Sequence, residues 1–378
     1  MLRRRAQLDA TLPLGTTDPR LHDVLRLGVY QLRALHRVPA YAAVSTSVAL
    51  ARELVGEGGA RYVNQALRRV ARDAGSGMRD ALETHPRWLI ERWEHRFGTA
   101  ETERLRTWND SRPSLVLQPA RWDAGRIRHE LQGACIGVQE APFGAGLVVT
   151  GSNASRIPHP AQLPGFDEGA FIVQDPAHAL VCRYAAITAG TVVYDACAAP
   201  GGKAVALERS GVRVVAGEVR RERLGRLLET TRRAGVAIRG AAADLLSAPF
   251  RAGAFAAVLV DAPCTATGTL GRHPDARWRL TPRRIALAAG RQRALLEAAA
   301  SLVPPEGLIV YATCSLEPEE NEEVVTWFLA RHPEFARAPT PAGARVPAEL
   351  LTPAGDFQAL PHRHATDGAY AARLVRRR

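Results

Sequence analysis

The stretch Asp195-Ala196-Cys197-Ala198-Ala199-Pro200-Gly201-Gly202-Lys203 decides the fold. Its first two residues end an apolar run that begins at Thr191, and its last is the single lysine among 50 basic side chains. An apolar run that breaks into two glycines reads as a buried strand ending in a tight turn. Gly201 and Gly202 lack a Cβ, so a ligand can lie close against the backbone there. Lysine carries a compact ammonium on a slim stem where arginine carries a planar fork, so the one lysine marks a crowded site.

Outward from this turn, from Gly165 on, strand-like and helix-like segments alternate. Apolar runs at 191–196, 212–218, 256–261 and 308–313 read as buried strands. Helical spacing fills 220–234, 282–303 and 318–331. Such alternation predicts an α/β domain, a doubly wound and mostly parallel sheet covered by helices on both faces. A last β-like stretch, 370–376, is expected to close an edge. Ligands in such sheets bind at the carboxyl ends of the strands, where the strand order reverses. The second strand ends at Glu218, and an acid there suits the two hydroxyls of a ribose; read alone, it fits a solvated strand-end carboxylate equally well. Asp244, after the next segment, is placed to meet an adenine. The turn has neither G-x-G-x-x-G nor P-loop spacing, so a nucleoside without a pyrophosphate fits best. S-adenosylmethionine is such a cofactor.

The first part of the chain reads differently. Leu21, Leu25, Leu32 and Leu35 recur at helical spacing, as do Val44, Val48 and 51–54. Gly56-Glu57-Gly58-Gly59 breaks the pattern, a basic helix with Arg68, Arg69 and Arg72 covers 60–74, and Gly75-Ser76-Gly77 reads as a hinge. Two helices broken at Gly98 follow His85. Short β-like runs at 115–117, 134–138 and 147–150 suggest a small α+β unit. The expected domains are 1–80, all helical; 81–164, a helical linker with the α+β unit; and 165–378, the α/β domain.

The chain of 378 residues is 46% apolar and carries a formal charge of +12. Its pI near 10.3 favours a polyanionic partner, usually nucleic acid. No run is long and apolar enough to span a membrane, and no signal peptide is read after the basic N-terminus. The expected compartment is the cytoplasm. Five cysteines without CxxC spacing argue against a disulfide framework or a metal site. Cys135, Cys182 and Cys197 are expected to be small buried hydrophobes, Cys197 contributing its backbone to the cofactor turn.

Two further strands end in reactive residues: Val260-Asp261-Ala262-Pro263-Cys264-Thr265 and Tyr311-Ala312-Thr313-Cys314-Ser315. Both ends should face the crevice of the glycine turn, which would set two cysteines and an aspartate beside the cofactor. A thiol near a cation can ionise and act as a nucleophile. The chemistry that needs this set is methylation of a cytosine at carbon-5. A thiolate adding to carbon-6 makes carbon-5 enamine-like, and an acid at nitrogen-3 stabilises the adduct. Methyl transfer follows, and a base then removes the carbon-5 proton so that the thiol leaves.

These motifs together resemble the bacterial ribosomal RNA 5-methylcytosine methyltransferases of the RsmB (Sun/Fmu) type. The likeness rests on the turn 197–203, Asp261-Ala262-Pro263-Cys264 and Thr313-Cys314-Ser315. Supporting matches are Gln174-Asp175, Gly271-Arg272-His273-Pro274-Asp275 with Trp278, Glu317-Pro318-Glu319-Glu320-Asn321-Glu322 and Thr366-Asp367-Gly368. Upstream, Leu27-Gly28-Val29-Tyr30-Gln31-Leu32 and Tyr62-Val63-Asn64-Gln65-Ala66-Leu67-Arg68 look like the later half of the family's NusB-like RNA-binding helical domain, which is expected to be shortened here. The resemblance implies a Rossmann-like fold with S-adenosylmethionine held by Cys197, Ala198, Ala199, Pro200, Gly201, Gly202, Lys203, Glu218, Asp244 and Asp261. It implies catalytic roles for Cys314 as nucleophile and Cys264 in product release, with Asp261 on the cytosine and Lys203 ordering the site. DNA cytosine methyltransferases use their Pro-Cys cysteine as nucleophile, so the residues alone leave the two thiol roles open. The expected substrate is RNA, small-subunit ribosomal RNA first, bound by a monomer without metal. The alternatives are transfer RNA, or a non-catalytic RNA-binding assembly factor. Phosphate contacts are expected from Arg68, Arg69, Arg72, the arginines of 220–223, Arg283, Arg284 and the tail 376–378.

Overall fold

The computed structural model describes residues 1–12, 18–35, 37–73, 84–152, 157–341, 344 and 346–378. The Gly75-Ser76-Gly77 hinge lies outside them. Two compact units emerge, Met1–Asp110 and Ser111–Arg378. The sequence reading drew three segments; here the helices after His85 group with the first unit and the small sheet with the second.

The first unit is helical, with helices Arg5–Thr11, Pro19–Ala34, Ala40–Val55, Glu57–Arg72, Arg87–Phe97 and Thr99–Asp110. Asp18 caps the second by accepting from the Arg20 backbone N–H, with Pro19 in the first turn. Leu21, Leu25, Val29, Val44, Ala51, Val63, Leu67 and Val70 form one core. A Cβ at Gly28 would sit 2.4 Å from a Leu67 methyl, so the helix pair closes on the missing side chain.

In the second unit, β1 (Leu115–Pro119), β2 (Ile136–Glu140), β3 (Leu147–Ser152) and β4 (Phe171–Val173) form an antiparallel sheet in the order β2-β3-β1-β4. The larger sheet has β5 (Val192–Asp195), β6 (Arg213–Gly217), β7 (Arg239–Ala241), β8 (Ala257–Asp261), β9 (Leu308–Thr313), β10 (Phe335–Arg337), β11 (Phe357–Ala359) and β12 (Ala369–Arg376). Its order is β10-β12-β9-β8-β5-β6-β7, with β11 also on β12. From β7 to β9 every pair is parallel, and β12 runs antiparallel to β9. The strand order reverses between β5 and β8, so their carboxyl ends, Asp195 and Asp261, flank the switch-point crevice.

The pleat divides the core. Tyr194, Val258, Val260 and Tyr311 pack with Leu295, Leu296 and Ala299 of helix Pro282–Leu302. Val193, Leu259 and Val310 pack on the other face with Leu207 and Leu227. These apolar runs are buried on both faces, as parallel strands are. The stretch expected at an edge, β12, is interior: β10 and β11, each three residues long, cover its far side. The helix expected over 318–331 breaks after a single 3-10 turn, and a helix resumes at Glu322–Arg331. Asn321 causes the break by turning inward to accept from Thr313 Oγ1 at 2.5 Å and donate to the Ser315 carbonyl at 2.9 Å.

Candidate active site

Strand β5 runs through Asp195 into the turn, and helix Gly202–Arg209 starts at its end. Gly201 has φ +104°, a conformation that suits glycine, and a Cβ on Gly202 would lie 2.7 Å from Gln174 Nε2. Both glycines are therefore fixed by geometry, and Gln174 is the neighbour that demands the second. The Ala199–Pro200 peptide is cis.

Two clefts open on either side of this turn. One is lined by Cys197, Glu218, Val219, Asp244, Pro263 and Leu295, among others. Glu218 accepts from the Arg220 backbone N–H at 3.0 Å, and Arg223 lies 3.5 Å from it while donating to the Ala199 carbonyl. Asp244 accepts from the Leu246 N–H at 3.1 Å. An acid thus stands at the end of each of two segments, with apolar Val219 and Leu295 in the same cleft. The other cleft, about 560 Å³, is lined by Ala198, Ala199, Pro200, Gly202, Lys203 and Asp261 together with His178, Arg272 and Asp367. The expected cofactor residues thus gather at one crevice but face two clefts of it, Gly201 lining neither.

Lys203 is 8% exposed. Its Nζ donates to Asp261 Oδ2 at 2.7 Å and to His178 Nδ1 at 3.0 Å. Burial works against its charge, but the Asp261 carboxylate outweighs it and holds the Lys203 pKa above the usual lysine value. Burial, then the Lys203 and Arg272 charges, push His178 well below the usual histidine value. Its neutral ring is what lets Nδ1 accept from the ammonium.

Cys264 follows β8 and Cys314 follows β9. Their sulfurs lie 3.2 Å apart, and both cysteines are free. The hydrogen bond to Cys314, then burial, raise the Cys264 pKa well above the usual thiol value. The Cys314 carbonyl accepts from the Gly268 N–H at 3.0 Å, and the Gly268 carbonyl from the Gly368 N–H at 2.8 Å. A Cβ on Gly268 would meet Gly368 Cα at 2.7 Å and the Cys314 carbonyl at 2.8 Å. Three backbones thus meet beside Cys314, which explains the glycine after Asp367. Arg272 ties the supporting motifs together, donating to Asp175 at 2.7 Å and Asp367 at 2.6 Å.

Of the other cysteines, Cys182 and Cys197 are partly buried, and burial pushes each thiol up to about 12. Cys135 departs from expectation: it is exposed, at φ +58° in the turn before β2. Sequence reasoning also missed Asp195 as a site residue. It is 1% exposed, no side chain among the described residues donates to its carboxylate, and the Cys197 backbone lends it partial support. Burial, then the Asp261 charge, raise its pKa to about 7. Its place in the quoted turn was the available signal. His178 was missed because a lone histidine in a helix carries no motif.

The comparisons with known proteins agree with this arrangement. The 16S rRNA methyltransferase RsmB/F family model matches residues 185–375, and the NusB family model residues 2–72. The probable ribosomal RNA small subunit methyltransferase B of Synechocystis sp. is 34% identical over 400 residues, covering 99% of this chain and 88% of its own. The ribosomal RNA small subunit methyltransferase B of Erwinia tasmaniensis is 31% identical over 376 residues, covering 96% and 84%. The crystal structure of PH0851 superposes with a TM-score of 0.84 at 27% identity, covering 99% of this chain and 88% of that one. The RsmB/F match, the NusB match that precedes it in the chain and 34% identity across 99% of the chain lead to one conclusion: the chain belongs to the RsmB/F family of 16S rRNA methyltransferases and is an S-adenosylmethionine-dependent RNA methyltransferase.

Proposed function

We propose that the protein methylates carbon-5 of a cytosine in small-subunit ribosomal RNA, through a covalent bond between Cys314 and carbon-6 of the base. The observation that carries this reading is the 3.2 Å approach of the Cys264 and Cys314 sulfurs at adjacent strand ends, with Asp261 ending the strand that leads to Cys264. When bound, S-adenosylmethionine supplies the methyl group from its sulfonium. Glu218 and Asp244 hold its ribose and adenine, the turn 197–203 passes along it, and Asp195 meets its ammonium.

Cys314 attacks as the thiolate, forming the sulfur–carbon-6 bond while electron density moves to carbon-5 and nitrogen-3. Asp261 stabilises that density through a proton shared with nitrogen-3, and Lys203 holds the carboxylate in place. After methyl transfer a base takes the carbon-5 proton, the sulfur–carbon bond breaks and aromaticity returns. Cys264, held as a neutral thiol, stands beside the departing Cys314 sulfur and assists this release. The cytosine must leave its stack to reach the crevice. Two free thiols this close belong in a reducing compartment, so the proposed site of action is the cytoplasm. The names of the relatives, small-subunit ribosomal RNA methyltransferases, support that RNA as substrate. Exposed Arg68, Arg69 and Arg72 of the NusB-like unit are proposed phosphate contacts.

The test is to incubate the protein with methyl-labelled S-adenosylmethionine and unmodified small-subunit RNA, then digest the RNA to nucleosides. Label in 5-methylcytidine is expected; label in another nucleoside, or in transfer RNA alone, would overturn the reading.

A further inference from the structure

Glu320 is fully buried, yet its carboxylate carries no cation partner among the described residues. It collects four donors instead. Oε1 accepts from the hydroxyls of Ser315, at 2.6 Å, and Thr265; Oε2 accepts from the Thr265 backbone N–H and from Gln292 Nε2, each at 2.9 Å. Thr265 is the residue after Cys264, and Ser315 the residue after Cys314. Gln292 extends the same network by donating to the carbonyl of Pro263, the residue before Cys264, at 3.0 Å. On the far side, Tyr311 Oη, from β9, donates to the Glu320 carbonyl at 2.5 Å. Ser315 Oγ also accepts from the Glu317 N–H at 3.1 Å. Burial raises the Glu320 pKa and the hydrogen bonds oppose it.

We infer that Glu320 is a positioning residue for both active-site thiols: one buried carboxylate joins the loops after β8 and β9 and fixes the distance between Cys264 and Cys314. This rests on the thiol chemistry proposed above. The two cysteines stand on different strands, and backbone pairing of β8 with β9 ends at Asp261–Ala312, before either sulfur is reached. Beyond that point the register of the two loops depends on the Gly268 N–H bond to the Cys314 carbonyl and on side chains. A carboxylate suits the task because Thr265 N–H and Gln292 Nε2–H can only donate, while its charge is spread over two oxygens that accept. Glu320 is not in the wall of the cleft that holds Glu218 and Asp244, so its loss should leave the cofactor in place.

The test combines a dithiol probe with turnover. Phenylarsine oxide binds two neighbouring thiols, forming two arsenic–sulfur bonds and releasing one water; it reads the spacing of the sulfurs without RNA or cofactor. Wild type should bind one equivalent tightly, and Cys264→Ser should lose that binding. In Glu320→Ala, at unchanged S-adenosylmethionine affinity, arsenical affinity should drop at least tenfold. Its kcat for RNA should fall by about 100-fold, the scale of a 1 Å misplacement, with KM for RNA little changed. Glu320→Gln keeps the side chain's length and one acceptor oxygen, and should recover about tenfold of that loss in kcat. Wild-type arsenical affinity in a folded Glu320→Ala, or a kcat loss that only tracks weakened cofactor binding, would overturn the inference. If wild type transfers no methyl group to RNA, the functional reading falls while the arsenical arm still decides the role of Glu320.

Discussion

The crevice has two walls built on opposite principles. At the end of β5 the wall is charged: Lys203 pairs with Asp261 and leans on His178, and Asp195 lies buried near both charges. At the ends of β8 and β9 two thiols lie 3.2 Å apart, and the nearby Glu320 carboxylate is held by four uncharged donors. Both walls come from the same device, a buried parallel strand running into a short loop. The difference is what each must do. A wall that handles a sulfonium, an ammonium and a proton on a base needs fixed charges of known sign. Under the proposed chemistry, a wall that forms and breaks a sulfur–carbon bond needs its sulfurs at fixed separation, with no cation bound permanently to the nucleophile.

The contrast can be broken at Lys203 first. Lys203→Arg keeps the charge but replaces a point donor with a fork in a site only 8% exposed. The expected result is a loss of about 100-fold in kcat from a displaced Asp261, with phenylarsine oxide binding at Cys264 and Cys314 unchanged. Wild-type rates would mean that the charged wall tolerates any cation, and that the single lysine is coincidence.

A smaller effect sharpens the same wall. Asp195, with its pKa raised to about 7, is protonated in the free protein below that pH and must lose the proton to meet an ammonium. S-adenosylmethionine affinity should therefore rise as pH climbs toward about 7 and fall again as the ligand's own α-ammonium deprotonates, at about pH 8. Asp195→Asn should flatten the slope and weaken binding by about tenfold at neutral pH, the scale of one charged hydrogen bond. Isothermal titration across that range in buffers of different ionisation heat decides it, since proton release on binding appears as a buffer-dependent heat. An identical slope in Asp195→Asn would remove Asp195 from the ammonium.

How much could be read in advance follows from the same two walls. The sheet, its switch point, the turn and both thiols were legible because buried parallel strands are continuous apolar runs and their loops follow at once. Strands β7, β10 and β11 were not, since three residues show no period, and without β10 and β11 the stretch 370–376 looked like an edge. His178 and Glu320 were hidden for another reason: each matters through partners distant in the chain, Lys203 25 residues from His178 and Thr265 55 residues from Glu320. Glu320 stood inside a quoted motif, but nothing in Glu317-Pro318-Glu319-Glu320 says which acid turns inward. The exposed Cys135 reversed its expected burial because a positive φ placed it on a turn.

The central claim is the division of labour between the thiols, and one gel tests it. Cys264→Ala is incubated with small-subunit RNA and labelled S-adenosylmethionine and run under denaturing conditions, alongside the same variant carrying Cys314→Ala. With release impaired, an RNA-dependent labelled protein band is expected in the single variant and none in the double. An adduct in the double variant would contradict the account by placing the bond on neither cysteine, and one that forms in Cys314→Ala with Cys264 present would make Cys264 the nucleophile.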